Sequence, residues 1–192
     1  MTVKSLSRRR AAILVANGFM EGEVTTAQRA LMNVGASVRT VSSESGLVNS
    51  WSGTGWGLNF AVDTPLNKAL AAEYDILVVP SGARSMEKLK LTAHTRRFIG
   101  GFLAAGKPVC IMGEGVALLG YFNLAQDMQV SASEKYAAEL TGTGAIVSGD
   151  MMTRYQNLLS AQPQTPEDIQ EVIAFFVNDV AAEIIDSQSL AA

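Results

Sequence analysis

Along this chain, short runs of consecutive apolar residues alternate with longer stretches in which apolar residues recur every three or four positions. AAILVA at 11–16 is apolar throughout and ends at Asn17-Gly18, the pattern of a strand buried on both faces. In VTTAQRALMNVG, Val24, Ala27, Leu31 and Val34 fall at helical spacing and Gly35 closes the helix. ASVRTVS alternates as a strand does. Turn residues crowd from Gly46 to Gly57 around Trp51 and Trp56, which predicts a β-hairpin or a long loop. NKALAAE predicts a short helix, YDILVVP at 74–80 a second buried strand, and SGARSMEKLKL a loop.

In the second half, TAHTRRFIGGFLAAG predicts a helix with Thr92 as N-cap and Gly106 as stop. KPVCIM reads as a strand that enters a sharp turn, with GVALLGYF as the helix after it. GAIVSGDMMTRY predicts two short strands joined through Ser148-Gly149. The last segment starts with Thr165 as cap, Pro166 at the first helical position and Asp168 completing a capping box. Ile169, Val172, Ile173, Phe176, Val180 and Ile184 trace its buried face. Strands that alternate with helices form a mainly parallel sheet covered on both faces through right-handed crossovers. The expected fold is α/β, a flavodoxin-like three-layer sandwich. No composition shift divides the chain, so residues 1–192 are expected to form a single domain, with 1–10 as a flexible basic tail around Lys4, Arg8, Arg9 and Arg10.

Composition narrows the function classes. With 48% hydrophobic and 17% charged residues the chain has the balance of a packed domain, and its net charge of -3 exerts no general pull on nucleic acid. The apolar run behind the arginines is too short for a signal peptide, and no window of about 18 apolar residues exists. A cytoplasmic protein without membrane association is therefore expected. One cysteine, Cys110, and one histidine, His94, exclude an internal disulfide and disfavour a zinc site, so neither metal nor cofactor is expected. Cys110 lies inside an apolar strand, where a thiol is unreactive. GTGWG sits in the hairpin rather than after a strand and carries no nucleotide-binding meaning.

In an open α/β sheet the functional crevice lies at the carboxyl ends of the strands. That selects Asn17 to Glu23, Pro80 to Arg84, and Met112 to Gly115. Through ILVANGFMEGE, YDILVVPSGAR and GKPVCIMGEGVALL, these strand ends resemble the ThiJ/PfpI superfamily, a branch of the class I glutamine amidotransferase-like fold. The family usually shows a Gly-Phe-Glu-type signature, a Pro-Gly-Gly loop, and Lys-Pro-Val leading into an Ala-x-Cys-His-Gly elbow. By this resemblance the nucleophilic cysteine falls on Gly113 and the following histidine on Glu114, while Gly115 keeps the family's glycine. The acidic partner falls on Met20 in an ungapped match, with Glu21 one position on. Ser81 replaces the first loop glycine and Gly82 remains.

The elbow Gly113, Glu114 and Gly115 is thus expected to keep its backbone and lose its reactive groups, so no catalytic residue is assigned. A non-glycine residue in a strained elbow costs on the order of 1–3 kcal/mol, whereas glycine adopts such angles freely. Met20, Glu21, Ser81, Gly82, Arg84, Gly113 and Glu114 are the candidate ligand-contacting residues. Plainer readings stand beside these: Glu114 as a helix-start carboxylate or a dimer contact, Glu21 and Glu23 as helix-start charges with one of them lining the crevice as the alternative, and Arg84 as a surface cation. His94 reads as a helical surface residue. Two functions follow from the resemblance. One is a non-catalytic family member that binds a small molecule or a partner, including a stress-linked protective role. The cysteine-less C-terminal domain of large-subunit catalases is similar in that respect. The other is an enzyme, such as a hydrolase or lyase, that works through a non-cysteine constellation in the same crevice, since the family includes peptidases, glyoxalase- or deglycase-like enzymes and chaperone-like hydrolases. A raised carboxyl pKa in a cavity shared by Glu114 and Glu21 would favour the second. Relatives are commonly homodimers, and a homodimer is expected here.

Overall fold

The computed structural model describes residues 6–180 and Glu183. The chain runs through β1 (Arg10–Val15), β2 (Phe19–Met20), α1 (Glu21–Asn33), β3 (Ser37–Ser42), β4 (Leu47–Trp51), β5 (Trp56–Ala61) and β6 (Thr64–Pro65). It continues with β7 (Ile76–Val79), α2 (Ala83–Lys90), α3 (Ala93–Ala104), β8 (Val109–Met112) and α4 (Val116–Tyr121). Then come β9 (Gln129–Ser131), α5 (Glu134–Gly142), β10 (Ile146–Ser148), β11 (Met152–Tyr155), β12 (Leu158–Ala161) and α6 (Pro166–Phe175). Seven strands form the central sheet in the order β11-β12-β8-β7-β1-β3-β6. Every neighbouring pair in it is parallel except β11 with β12.

The alternation of side chains along each strand divides the interior into two cores. Ala11, Ile13 and Val15 of β1 point to one face with Ile76, Val78, Cys110 and Met112, where they meet Val24, Ala27 and Leu31 of α1 and Val172 and Ile173 of α6. Ala12 and Leu14 point to the other face with Leu77, Val79, Val109 and Ile111. There they meet Met86 and Leu89 of α2, Phe98, Ile99 and Phe102 of α3, and Leu118 and Leu119 of α4. A strand covered on both faces must be apolar at every position, which is why β1, β7 and β8 stand out in the sequence as uninterrupted apolar runs. The result is the three-layer α/β sandwich expected. Among the described residues no helix is long and apolar enough to cross a membrane.

Several local expectations change. SGARSMEKLKL is not a loop: α2 forms because Ser85, Met86 and Leu89 fall on one buried helical face, and Ser85 Oγ accepts from Ala16 N–H at 2.8 Å. NKALAAE shrinks to a 3-10 turn at Ala71–Glu73, below which Lys107 Nζ donates to the carbonyls of Ala71 and Tyr74. The two strands on either side of Ser148-Gly149 do not pair with each other: β10 joins β9 and β11 joins β12. The basic segment is not free as far as residue 10. Leu6 is buried and donates to Val34 O, Arg9 bonds Asp75 at 3.1 Å, and Arg10 opens β1. Lys4 and Ile184 lie outside the described residues.

Candidate functional site

Two strand–turn–helix corners face each other at the carboxyl ends of β7 and β8. At the second, β8 enters a 3-10 turn over Gly113–Gly115 that runs directly into α4. Gly113 has φ +49, and a Cβ built on it would fall on Ser81 Oγ and within 2.9 Å of Ser81 Cβ. This position therefore takes glycine for two reasons, backbone angle and volume. At the first corner, β7 passes through Pro80 and Ser81 to Gly82, and α2 starts at Ala83. Gly82 has φ +131, and a Cβ there would lie 2.5 Å from the Gly18 carbonyl oxygen. Close approach of the post-β1 loop is what Gly82 permits; Met20 N–H donates to Ser81 O at 2.9 Å across the same gap.

Ser81 is held by a carboxylate that the ungapped motif match passes over. Glu23, in the first turn of α1, is only 3% exposed and takes both donors of Ser81: the backbone N–H on Oε2 at 2.5 Å and the hydroxyl on Oε1 at 2.6 Å. Burial pushes its carboxyl up to about 7, against the Ser81 hydrogen bonds that favour the charged form, and the nearby Glu114 carboxylate adds to the rise. Glu114 itself reaches back across the corner to accept from Gly82 N–H at 3.0 Å. The turn is tied from the far side by Gln162, whose Nε2 donates to the carbonyls of Gly113 and Ser131.

Met20, Glu23, Ser81, Gly113 and Glu114 line one cavity of about 290 Å³, closed on its other side by Ser133, Lys135, Tyr136 and the Gln162 to Gln164 segment. Gly82 and Gly115 form the two corners, and the remaining sequence candidates lie elsewhere. Glu21 leaves the crevice to accept from Ser50 Oγ and Leu58 N–H, which ties α1 to the hairpin of β4 and β5. Arg84 is exposed and stacks on Trp51, its guanidinium carbon 4.0 Å from the ring centre. His94 lines a separate cavity of about 350 Å³ with Ser42, Ser43, Ser45, Leu66, Lys68 and Thr92. No carboxylate lines that second cavity, whereas Glu23 and Glu114 both line the first. Cys110 is wholly buried, and burial, reinforced by the Glu23 charge, pushes its thiol up out of the reactive range.

The sequence left open which of Glu21 and Glu23 lines the crevice, and gave no sign of Lys135, Tyr136 or Gln162. For Glu23 a signal exists. Glu23, Ala27 and Leu31 are spaced four apart on α1, so an acidic residue stands on the helix's apolar stripe. A carboxyl at such a position is either paired or functional. Nothing comparable marks Lys135, Tyr136 or Gln162, which reach the cavity from α5 and from the chain after β12.

A family model described as the DJ-1/PfpI family matches residues 9–175. No curated protein matches the chain in sequence. Among solved structures, the chain superposes on a two-domain protein of Anabaena variabilis containing DJ-1/ThiJ/PfpI-like and ferritin-like domains. The TM-score there is 0.80 at 20% identity, over 88% of this chain and 47% of that one, so this chain spans about half its length. A ThiJ/PfpI domain protein of Brachyspira murdochii gives 0.77 at 15% identity over 94% and 98% of the two chains. Schizosaccharomyces pombe DJ-1 gives 0.75 at 16% identity over 95% and 99%. These likenesses establish the shared fold, and the family match, which runs from before β1 into α6, establishes the kinship: the chain belongs to the DJ-1/PfpI family.

Proposed function

We propose that this protein binds a small polar molecule in the cavity between the Ser81 and Gly113 corners, and that it performs no thiol chemistry there. The observation that carries this reading is Glu23, a buried carboxyl with both oxygens on Ser81 in a cavity that also holds Glu114. A buried ionisable group is costly to desolvate, and a fold with no use for one does better with an apolar residue in its place. With Gly113 at the elbow and Cys110 sealed in the sheet, the described residues present no thiol to a ligand. The proposal includes a cytoplasmic homodimer, with a protective role in stress as one setting for such binding.

A second reading, an enzyme that works without cysteine, is favoured by one specific observation: the two carboxyls share the cavity and one is raised towards neutrality. Native mass spectrometry of the purified protein, before and after denaturation, tests the first reading and counts subunits in the same spectrum. A dimer that releases a defined small molecule is the expected outcome. A protein that stays empty after incubation with metabolite extract would sink the binding reading.

A further inference from the structure

We infer that Ser81 is a relocated nucleophile, with Glu23 as its base and the Gly82 N–H as oxyanion donor, acting on small carboxylic esters. This rests on the reading that the cavity receives a small molecule, and it assigns the chemistry done to that molecule. Three geometric facts carry it. A side chain on the elbow residue would begin where Ser81 Oγ now lies, so the hydroxyl stands in the volume of the missing elbow side chain, arriving from the opposite corner. Ser81 itself sits on a strand–turn–helix corner between β7 and α2, at the carboxyl end of the sheet, with the positive φ of the corner carried by the next residue, Gly82. Its hydroxyl donates directly to Glu23 Oε1 at 2.6 Å, within the reach required of a general base.

The oxyanion position can be located as well. In hydrolases with a nucleophile corner, one donor is the backbone N–H of the residue after the nucleophile. Here that is Gly82 N–H, and it already holds a negatively charged oxygen, Glu114 Oε2, at 3.0 Å. Glu114 thus marks where an oxyanion is stabilised and must swing aside for an ester carbonyl to take its place. Glu114 is half-buried at a short turn, without a packed position in either core.

Ser81 Oγ bonds to the ester carbonyl carbon while its proton passes to Glu23, and the carbonyl oxygen becomes the oxyanion on Gly82 N–H. Collapse breaks the carbon–oxygen bond to the alcohol, which leaves with the proton from Glu23. Water then adds to the acyl-serine, giving its proton to Glu23, and the second collapse returns that proton to Ser81 Oγ and releases the acid. Besides the Ser81 hydrogen bonds, Glu114 from the elbow turn is the charged group acting on Glu23, and Glu23 in turn acts on the buried Cys110 thiol of β8.

The test is to treat the full-length protein with a small alkyl fluorophosphonate, read the intact mass with time, and map the modified peptide. The expected result is a single adduct on Ser81, at a rate that falls about 100-fold or more in Glu23→Gln and rises in Glu114→Ala, where the Gly82 N–H is free. Ser81→Ala should take no adduct. Labelling of the wild-type chain at Ser81, read by peptide mapping, tests the nucleophile independently of how well any variant folds. A wild-type protein unlabelled at Ser81, or one labelled equally fast in Glu23→Gln, overturns the assignment. Native spectra of the same sample separate the two failures. A cavity that holds its ligand while Ser81 stays unlabelled refutes only the nucleophile, whereas an empty and unlabelled cavity refutes the binding reading too.

Discussion

Ser81 and Gly113 share one volume, so the residue at one position decides what the other accepts. The loop glycine expected of the family would leave room for an elbow side chain; a serine there fills that room from the other corner. The two departures from the family pattern are in this view one exchange. Restoring a thiol with Gly113→Cys alone should destabilise the fold, since a side chain at φ +49 is strained by about 1–3 kcal/mol and would also overlap Ser81. Adding Ser81→Gly should relieve the overlap and leave only the strain and the loss of Ser81's side-chain hydrogen bond to Glu23. Urea midpoints of both single variants and the double variant measure this. Coupling of about 1–3 kcal/mol is expected, in the range found for residues in contact, and strict additivity would show that the volume is not shared.

Two elements are fixed by side chains whose removal should have different reach. At α6, Thr165 accepts from Asp168 N–H at 3.1 Å while the Asp168 carboxylate accepts from Thr165 N–H, closing the capping box. Thr165→Ala should lower global stability by about 1 kcal/mol in a denaturant titration, because α6 covers the central sheet. At the hairpin, hydrogen bonds from Ser50 Oγ and then from Leu58 N–H hold the Glu21 carboxyl below its usual value. Glu21→Ala should therefore speed amide exchange at Leu58 and leave the amides of β1, β7 and β8 unchanged; slowing or no change at Leu58 would remove Glu21 as the anchor. These cases also show what was legible in the sequence. The capping box and the buried strands are encoded by neighbours in the chain and are legible from a few adjacent letters, while the same kind of signal leaves the hairpin of β4 and β5 open between a hairpin and a long loop. The helical spacing of Ser85, Met86 and Leu89 was present but masked by the glycine and charges around it. The site was legible as three strand ends and not as a set of partners. Whether Glu21 or Glu23 faces Ser81 depends on the rotation of α1 about its axis, which the packing of Val24, Ala27 and Leu31 decides.

For the molecule as a whole, Glu23 makes folding itself sensitive to pH. Among the described residues it is the one carboxyl group buried in the fold, and it lies against the core that α1 and α6 share with the sheet. Its folded value of about 7 stands above the ordinary 4.5, so the folded chain keeps a proton that the unfolded chain has released. The stability this proton contributes is complete below pH 4.5 and is lost as the pH rises through about 7. A shift of that size corresponds to a loss on the order of 3 kcal/mol. Glu21 and Asp168, both lowered, act with the opposite sign and only at more acidic pH, so they leave this window undisturbed. Glu23→Gln keeps a neutral group of the same shape that can accept from Ser81 N–H and donate to its hydroxyl, and it has no proton to lose. Denaturant titrations between pH 5 and 8 should show wild-type stability falling with pH while the Gln variant stays nearly level. Equal slopes would mean that Glu23 is charged throughout, and the cavity would then present a fixed anion, suited to a cationic ligand, in place of a carboxyl able to take up and release a proton near neutrality.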